Sequence, residues 1–426
     1  MIRPSPEERM GYFMKLTAFK KILPKASALL LSLVLTLMLM IGAASADSAG
    51  TTPIYSKADL FTERDMIQEA DLSEAEMISV TSGEDVRITS AGVYVLSGTA
   101  SETTIYVEAD SEDKVQLVLK GLNITNESFP CIYVITADKV FITTSADSSL
   151  SVTGTFRKDG STKTDGVIFS KQDLVLNGTA ALSVSSSANG IVCKDDLKIT
   201  GGTYRVQAAK KAIEANDSIR IADGTFELTA GTDGFHAENS DDDSLGWIWI
   251  GGGSITIKAG DDGIHAVSVL QIDGGTFNIS SAEGMEATVI QINGGTVGIT
   301  SSDDGINAAS KSSAYQAAAI FNGGEISISI GAGDTDGVDS NGDIYVNGGT
   351  ISVNGNSTFD YDGTAQYNGG TIICNGQQVA SIPNQMMGGR GGWGNNGGWQ
   401  NNGGMSGGQG GPGGQGGGRG GRGGWR

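Results

Sequence analysis

The sequence predicts an all-β fold: a right-handed, single-stranded parallel β-helix wound as a three-sided solenoid. Three observations carry this. The stretch DDGIHAVSVLQIDGGTFNIS, Asp261–Ser280, returns as EGMEATVIQINGGTVGIT from Glu283 and again from Asp303, Thr335 and Phe359, with weaker copies from Ala188, Lys210 and Thr232. The glycine of its xG step falls at 263, 284 and 305, a period of 21; self-similarity at such a period means stacked identical units. Composition agrees, with 65 glycines in 426 residues, 6% aromatic and 18% charged residues. That is poor material for a compact core, but it suits a narrow solenoid filled by Ile, Val and Ala.

Each copy holds three short alternating runs, for example Gly263–Ala266, Val269–Ile272 and Thr276–Ser280, separated by polar or glycine corners. In the third run Phe277 and Ile279 point one way, Thr276 and Asn278 the other. The same inward pair recurs as Tyr204/Val206, Phe226/Leu228, Ile255/Ile257, Val297/Ile299, Ile326/Ile328 and Ile351/Val353. Three strands of roughly five residues plus turns fill one triangular coil, and coils about 4.8 Å apart pair every strand with its copies above and below. Right-handedness follows from the usual hand of parallel crossovers. Asp273, Asn293, Asn322, Asn347 and Asn368 share one position at the GG corner, which predicts amides bonding along the stack.

In chain order, residues 1–46 read as a secretory signal peptide: Lys15, Lys20, Lys21 and Lys25 precede an apolar run from Ala28 to Ile41, and Ala44-Ser45-Ala46 offers a cleavage site. The apolar run is too short for a spanning helix, so no membrane span is expected in the mature chain. Residues 47–82 are polar and acidic without a two-residue period and read as a linker or N-terminal cap, with a short helix near Leu60–Leu72 as one option. Residues 83–384 form the β-helix; Gly83–Phe156 has longer β-runs, predicting wider coils that cover the first repeat. Residues 385–426 form a glycine-rich tail carrying Trp393, Trp399 and Trp425 with four arginines. Its composition cannot support a core.

Net charge is −20, and excluding residues 1–46 and the tail leaves 18 basic against 46 acidic residues. Such a body repels nucleic acid and anionic membrane and invites divalent cations. Cys131, Cys193 and Cys374 are too few and scattered for a disulfide framework, and Cys374 reads as a small buried hydrophobe.

Two faces carry candidate chemistry. The first strand of each coil presents two outward columns. Asp165, Asp233, Asp262, Glu283, Asp304 and Asp336 stand ahead of the glycine; Glu214, His236, His265, Glu286, Asn307, Asp339 and Asp362 stand after the inward residue. Like charges one rung apart repel, so the columns call for protonation, hydration or a bound cation. Ca²⁺ takes six to eight oxygens, which adjacent rungs can supply. The candidate metal ligands are Asp233, Glu238, Asp261, Asp262, Glu283, Glu286, Asp303, Asp304, Asp334, Asp336 and Asp339. His236 and His265, the only histidines, are surrounded by carboxylates and read as a hydrogen-bonding pair or weak ligand, not a zinc site. On the second strand the outward residues include Lys198, Arg220, Trp249, Gln271, Gln291 and Tyr345, with Trp247 on the same side. Exposed aromatic rings and amides on a flat sheet suit a sugar chain lying along it, unless the insertion Asp241–Gly246 folds over the tryptophans.

The motifs DDGIHA…LQIDGGTFNI, DDGINA, GDTDGVDSNGDIYVNGGTI, FDYDGTAQYNGGTI and IPNQMMGG resemble a family of secreted clostridial-type β-helix proteins, described as carbohydrate-binding and related to polysaccharide lyases. The resemblance spans roughly Gly83–Gly389. It implies bound calcium and affinity for cellulose and for acidic plant-wall polysaccharides such as pectin. The reading is therefore a secreted or cell-surface-associated, monomeric calcium-binding module with an extracellular polysaccharide as partner. A calcium-dependent lyase is the alternative, with Lys171, Lys194, Lys210 or Lys211 as base; a structural or adhesin role is the second.

Overall fold

The computed structural model describes residues 51–333 and 335–385. Residues 1–50, with the stretch read as a signal peptide, the tail with its Trp and Arg residues beyond Gln385, and Asp334 lie outside the described residues. Strands stack into one 12-stranded and one 24-stranded sheet, and every pairing between named strands is parallel except the last. This is a parallel β-helix. The 12-stranded sheet collects the first strand of each coil, from Val86–Ile88 to Ser357–Tyr361. The 24-stranded sheet holds the second and third strands, which are continuous because Gly92–Ser101 and Lys114–Asn126 run through the corner between those two faces. Each bends at a register shift next to a glycine, Gly98 or Gly121, with positive φ. These long strands are the wider early coils that the sequence predicts.

Inward pairs fill the lumen in register, with Phe226↔Ile255↔Phe277↔Val297↔Ile326↔Ile351 one above another, all buried. The recurrent xG glycine has a packing reason. A Cβ on Gly263 would run into Ile279 Cγ2, and one on Gly284 would stand 2.5 Å from Ile299 Cγ2, so any larger residue would push the first strand off the third. The corner ladder forms as predicted: Asn293, Asn322, Asn347 and Asn368 each donate a side-chain N–H to the residue one coil earlier, at 2.6–2.8 Å.

The first rung is Glu76–Ser79, parallel to Tyr94–Ser97. At the far end Gln377–Val379 turns back antiparallel on Thr371–Cys374 through Asn375 and Gly376, both at positive φ. Gln385 then bonds Phe359 and Thr358. Cys374 is half-buried, and Cys131 and Cys193 are buried; all three are free. No helix among the described residues is long and apolar enough to cross a membrane.

Residues 51–71 lie along the second-strand face. Only Lys57–Leu60 is helical. The Gln271 amide grips the backbone of Tyr55 at both its N–H and its C=O, 2.7 and 2.9 Å away, and Gln291 likewise takes Ile54 N–H and Thr52 C=O. Tyr55 stacks on Trp247 at 4.1 Å and Phe61 leans on Trp249 at 5.7 Å. Asp65 forms a buried ion pair with Lys198 at 2.9 Å.

Candidate functional site

The covering segment corrects the exposure expected of the second-strand face. Trp249 is 0% exposed and Trp247 8%, Trp249 donates its indole N–H to Asp273, and Lys198, Gln271 and Gln291 are buried with them. Arg220 caps Trp247 with its guanidinium 4.7 Å from the ring and pairs with Asp196. Tyr345 is half-buried and donates to Asp343. The cover is residues 51–61, not the insertion Asp241–Gly246, whose Asp243 instead accepts from Ser313. Alternation identified these side chains as outward-facing, but what lies outside them comes from a segment with no strand pattern.

The first-strand face grades along its length, from buried outward residues (Tyr133, Phe169, Val192, His236, Glu286) to half-buried ones (Glu214, His265, Asn307, Asp339, Asp360). Its outward column runs Tyr106, Tyr133, Phe169, Val192, Glu214, His236, His265, Glu286, Asn307, Asp339 and Asp360. Asp360, not Asp362, ends it, because Phe359 must take the inward position beneath Val338. At the aromatic end Arg157 and Arg87 lie over Phe129 and Tyr106, and Lys171 over Tyr133.

A cavity of about 620 Å³ follows, lined by Phe169, Lys163, Lys171, Lys194, Lys210, Lys211, Glu214 and neighbours. The lysines come from three successive coils and meet only when these stack. Glu214 anchors them: Lys194 Nζ is 2.8 Å and Lys211 Nζ 3.9 Å from its oxygens. Burial raises the Glu214 pKa, but the two lysines outweigh it and hold the carboxyl below its ordinary range. Lys163 pairs with Asp165 at 2.8 Å, whereas among the described residues no ion pair involves Lys171 or Lys210. The cavity therefore carries excess positive charge on a body that is otherwise strongly acidic.

Next come the histidines, each held by the aspartate three residues before it. Asp233 Oδ2 lies 2.8 Å from His236 Nδ1, and Asp262 Oδ2 lies 2.7 Å from His265 Nδ1. The rings stack at 4.6 Å, the rung spacing itself. Glu238 reaches the other nitrogen of His236 at 3.1 Å. Glu286 Oε2 also meets His265 Nδ1, at 2.9 Å, while Lys311 holds its Oε1 at 2.9 Å. Asp262, His265 and Glu286 thus offer three ligand atoms within 4.8 Å of one another, a group that could hold a metal. Burial disfavours charge on His265, but its bonds to Asp262 and Glu286 outweigh that and raise it to about 9.

Beyond Glu286 the donors are oxygen only. Asn307 donates to Glu283 Oε2 at 3.1 Å, and Asp304 Oδ1 accepts from the Asp336 N–H at 2.7 Å. Burial and the neighbouring Glu286 push Glu283 up to about 7. Burial, then Asp304, Asp336 and Asp360, push Asp339 to about 7. Of the other predicted metal ligands, Asp261 and Asp303 are exposed at the corners. Their main-chain groups tie the coils together: Asp261 C=O accepts from Ala282, and Asp303 N–H donates to Ala282 C=O.

Known proteins share parts of this sequence. A carbohydrate-binding domain-containing protein of Acetivibrio thermocellus is 36% identical over 132 residues, which is 30% of this chain and 46% of that protein, so the match spans less than half of the relative. A solved structure described as the polysaccharide lyase-like protein from C. thermocellum, gadolinium derivative, is similar at 31% identity and a TM-score of 0.49, covering 51% of this chain and 96% of that one. The family described as carbohydrate-binding domain-containing protein matches residues 82–363, two thirds of the sequence and nearly the whole solenoid, and this chain belongs to it.

Proposed function

We propose that this protein is a secreted, calcium-binding module that holds acidic polysaccharide, polygalacturonate or pectin, along the first-strand face, with cellulose as a neutral ligand. The observation that carries the reading is the lysine-lined cavity beside the acid column. Lysine ammonium groups attract sugar carboxylates that the rest of the body would repel. Calcium fits the oxygen-only stretch of Glu283, Asp304, Asp336 and Asp339 better than the stretch around His265. It prefers six to eight oxygens, and burial together with like-charged neighbours has already raised two of these carboxylates towards neutrality. A cation there would relieve that repulsion and bridge protein and polymer carboxylates.

Convergence of Lys171, Lys194, Lys210 and Lys211 on one cavity favours a second reading, a calcium-dependent lyase in which one of them removes a proton beside the uronate carboxylate. Retention on polygalacturonate and on cellulose, with and without chelator, tests the first reading. Absorbance of unsaturated product in the same incubations tests the second. Retention on polygalacturonate that is indifferent to both chelator and Lys210→Ala/Lys211→Ala would sink the proposal.

A further inference from the structure

The stretch around His265 fits a different ion from the one just proposed. Asp262 Oδ2 and Glu286 Oε2 both point at one atom, His265 Nδ1, at 2.7 and 2.9 Å. Both carboxylates are buried at 6% exposure, while the imidazole is half-buried on the first-strand face. Lys311 occupies the second oxygen of Glu286, which fixes that carboxylate with Oε2 turned to the cluster, as outer-shell partners do at metal sites. We infer that Asp262, His265 and Glu286 form a three-ligand site for a divalent transition ion of the zinc class, with a fourth position open to the first-strand face.

Ligand chemistry separates this ion from calcium. Imidazole nitrogen with two carboxylates suits zinc-like ions, whereas calcium takes hard oxygen donors in larger number. Bonds of 2.0–2.2 Å to a tetrahedral ion place its ligand atoms about 3.3 Å apart. The present contacts need open by only roughly half an ångström, a side-chain adjustment. Three protein ligands with a free fourth position is the composition of sites that hold a water or a substrate oxygen. The sequence places His265 among carboxylates as part of a hydrogen-bonding pair or as a weak ligand; stacking brings two of those carboxylates, from its own coil and the next, onto one ring nitrogen. His236, one coil earlier, has His265 where a second carboxylate would be needed, so among the described residues the site forms once in the column.

Cobalt(II), whose visible absorption reports nitrogen and oxygen ligation, is the probe to titrate into chelator-treated full-length protein. One equivalent is expected, displaced by zinc but not by a hundredfold excess of calcium. His265→Gln and Glu286→Gln should each weaken binding at least tenfold, whereas His236→Gln should stay within threefold. Two variants keep the test open if one fails to unfold cooperatively. Absence of a saturable cobalt spectrum in the wild type, wild-type affinity in both ligand variants, or ready displacement by calcium overturns the assignment. Calcium-dependent retention on polygalacturonate, measured on the same variants without cobalt, reports the calcium reading separately, so either can fail alone.

Discussion

Asp339→Asn isolates the strain carried by the acid column. Asp339 faces Asp304, Asp336 and Asp360, and burial with these neighbours lifts its pKa from 3.8 to about 7. An acid raised in the folded state binds its proton more tightly folded than unfolded, so stability falls as pH rises from about 4 to about 7 and levels off above. At 1.36 kcal/mol per tenfold change in proton affinity the ceiling is about 4 kcal/mol. Asp339 is half-buried, and solvent screening brings the expected effect to about 1–2 kcal/mol. In chelator at pH 8, the Asp339→Asn protein should be more stable than wild type by that amount, and at pH 4 the two should coincide. Calcium at a hundredfold excess over Kd should restore about 2.7 kcal/mol to the wild type and less to the variant, reversing their order. Urea unfolding at both pH values, with and without calcium, measures all four terms. A variant less stable than wild type in chelator at pH 8 would show that Asp339 is held by favourable contacts, and the account of a repulsive column would be wrong.

Other consequences are as direct. Trp249→Ala should cost about 3–5 kcal/mol in urea unfolding, since it deletes a fully buried indole under the covering segment; near-neutral stability would mean that segment does not pack on it. Asp65→Asn leaves the Lys198 ammonium buried without its counter-charge and should destabilise by about 3 kcal/mol, read as a lower melting temperature. Lys210→Ala/Lys211→Ala should reduce retention on polygalacturonate at least tenfold and leave retention on cellulose within twofold; an equal loss on both polymers would remove the lysines from acid recognition. Asn322→Ala interrupts the corner ladder between Asn293 and Asn347 and should cost about 1–2 kcal/mol, with no change in polymer retention.

The solenoid was legible because its determinants repeat. A two-residue alternation and a 21-residue period place Ile279 over Ile257 and Asn322 over Asn293 with no long-range knowledge, since each contact is a copy of its neighbour. Features that do not repeat were hidden. Residues 51–61 find Gln271 and Gln291 across more than 200 residues of sequence, and their polar, aperiodic composition gave no sign of a partner. Alternation said that Trp249 points outward; whether outward means solvent depends on chain from elsewhere. The lysine cavity was legible only in part: Lys171, Lys194, Lys210 and Lys211 stand out in the sequence as possible bases, but not their convergence with Lys163 on one cavity. Lys163, Lys171, Lys194 and Lys211 appear scattered along the chain, and only the register of successive coils gathers them. The shift from Asp362 to Asp360 shows the limit of motif alignment: in FDYDG each aspartate follows an aromatic residue, and only the register, with Phe359 paired to Val338, says which aromatic is inward.

The same register weighs binding against elimination. Lys211 stands in the pre-glycine column directly above Asp233, Asp262 and Glu283, given the pairings Ile213↔Phe235, Phe235↔Ile264 and Asp262↔Glu283. Three rungs therefore separate the lysine cavity from the first of the oxygen-only donors, about 14 Å. Elimination from a uronate needs the cation on the carboxylate and the base on the adjacent carbon, within one sugar ring. The lysine nearest the oxygen-only stretch, Lys311, is paired with Glu286, and that contact outweighs burial to raise its pKa, so it stays protonated. On the proposed calcium reading, base and cation would therefore address different sugars of one bound chain. Such spacing is productive for grip, since a long polymer can meet the lysines at one residue and calcium several residues on, each contact raising the local concentration for the next. Short uronate oligomers unable to span both positions should bind far more weakly than the polymer; equal affinity per chain for a dimer and a long polymer would return the cation and the lysines to a single subsite and reopen the lyase reading.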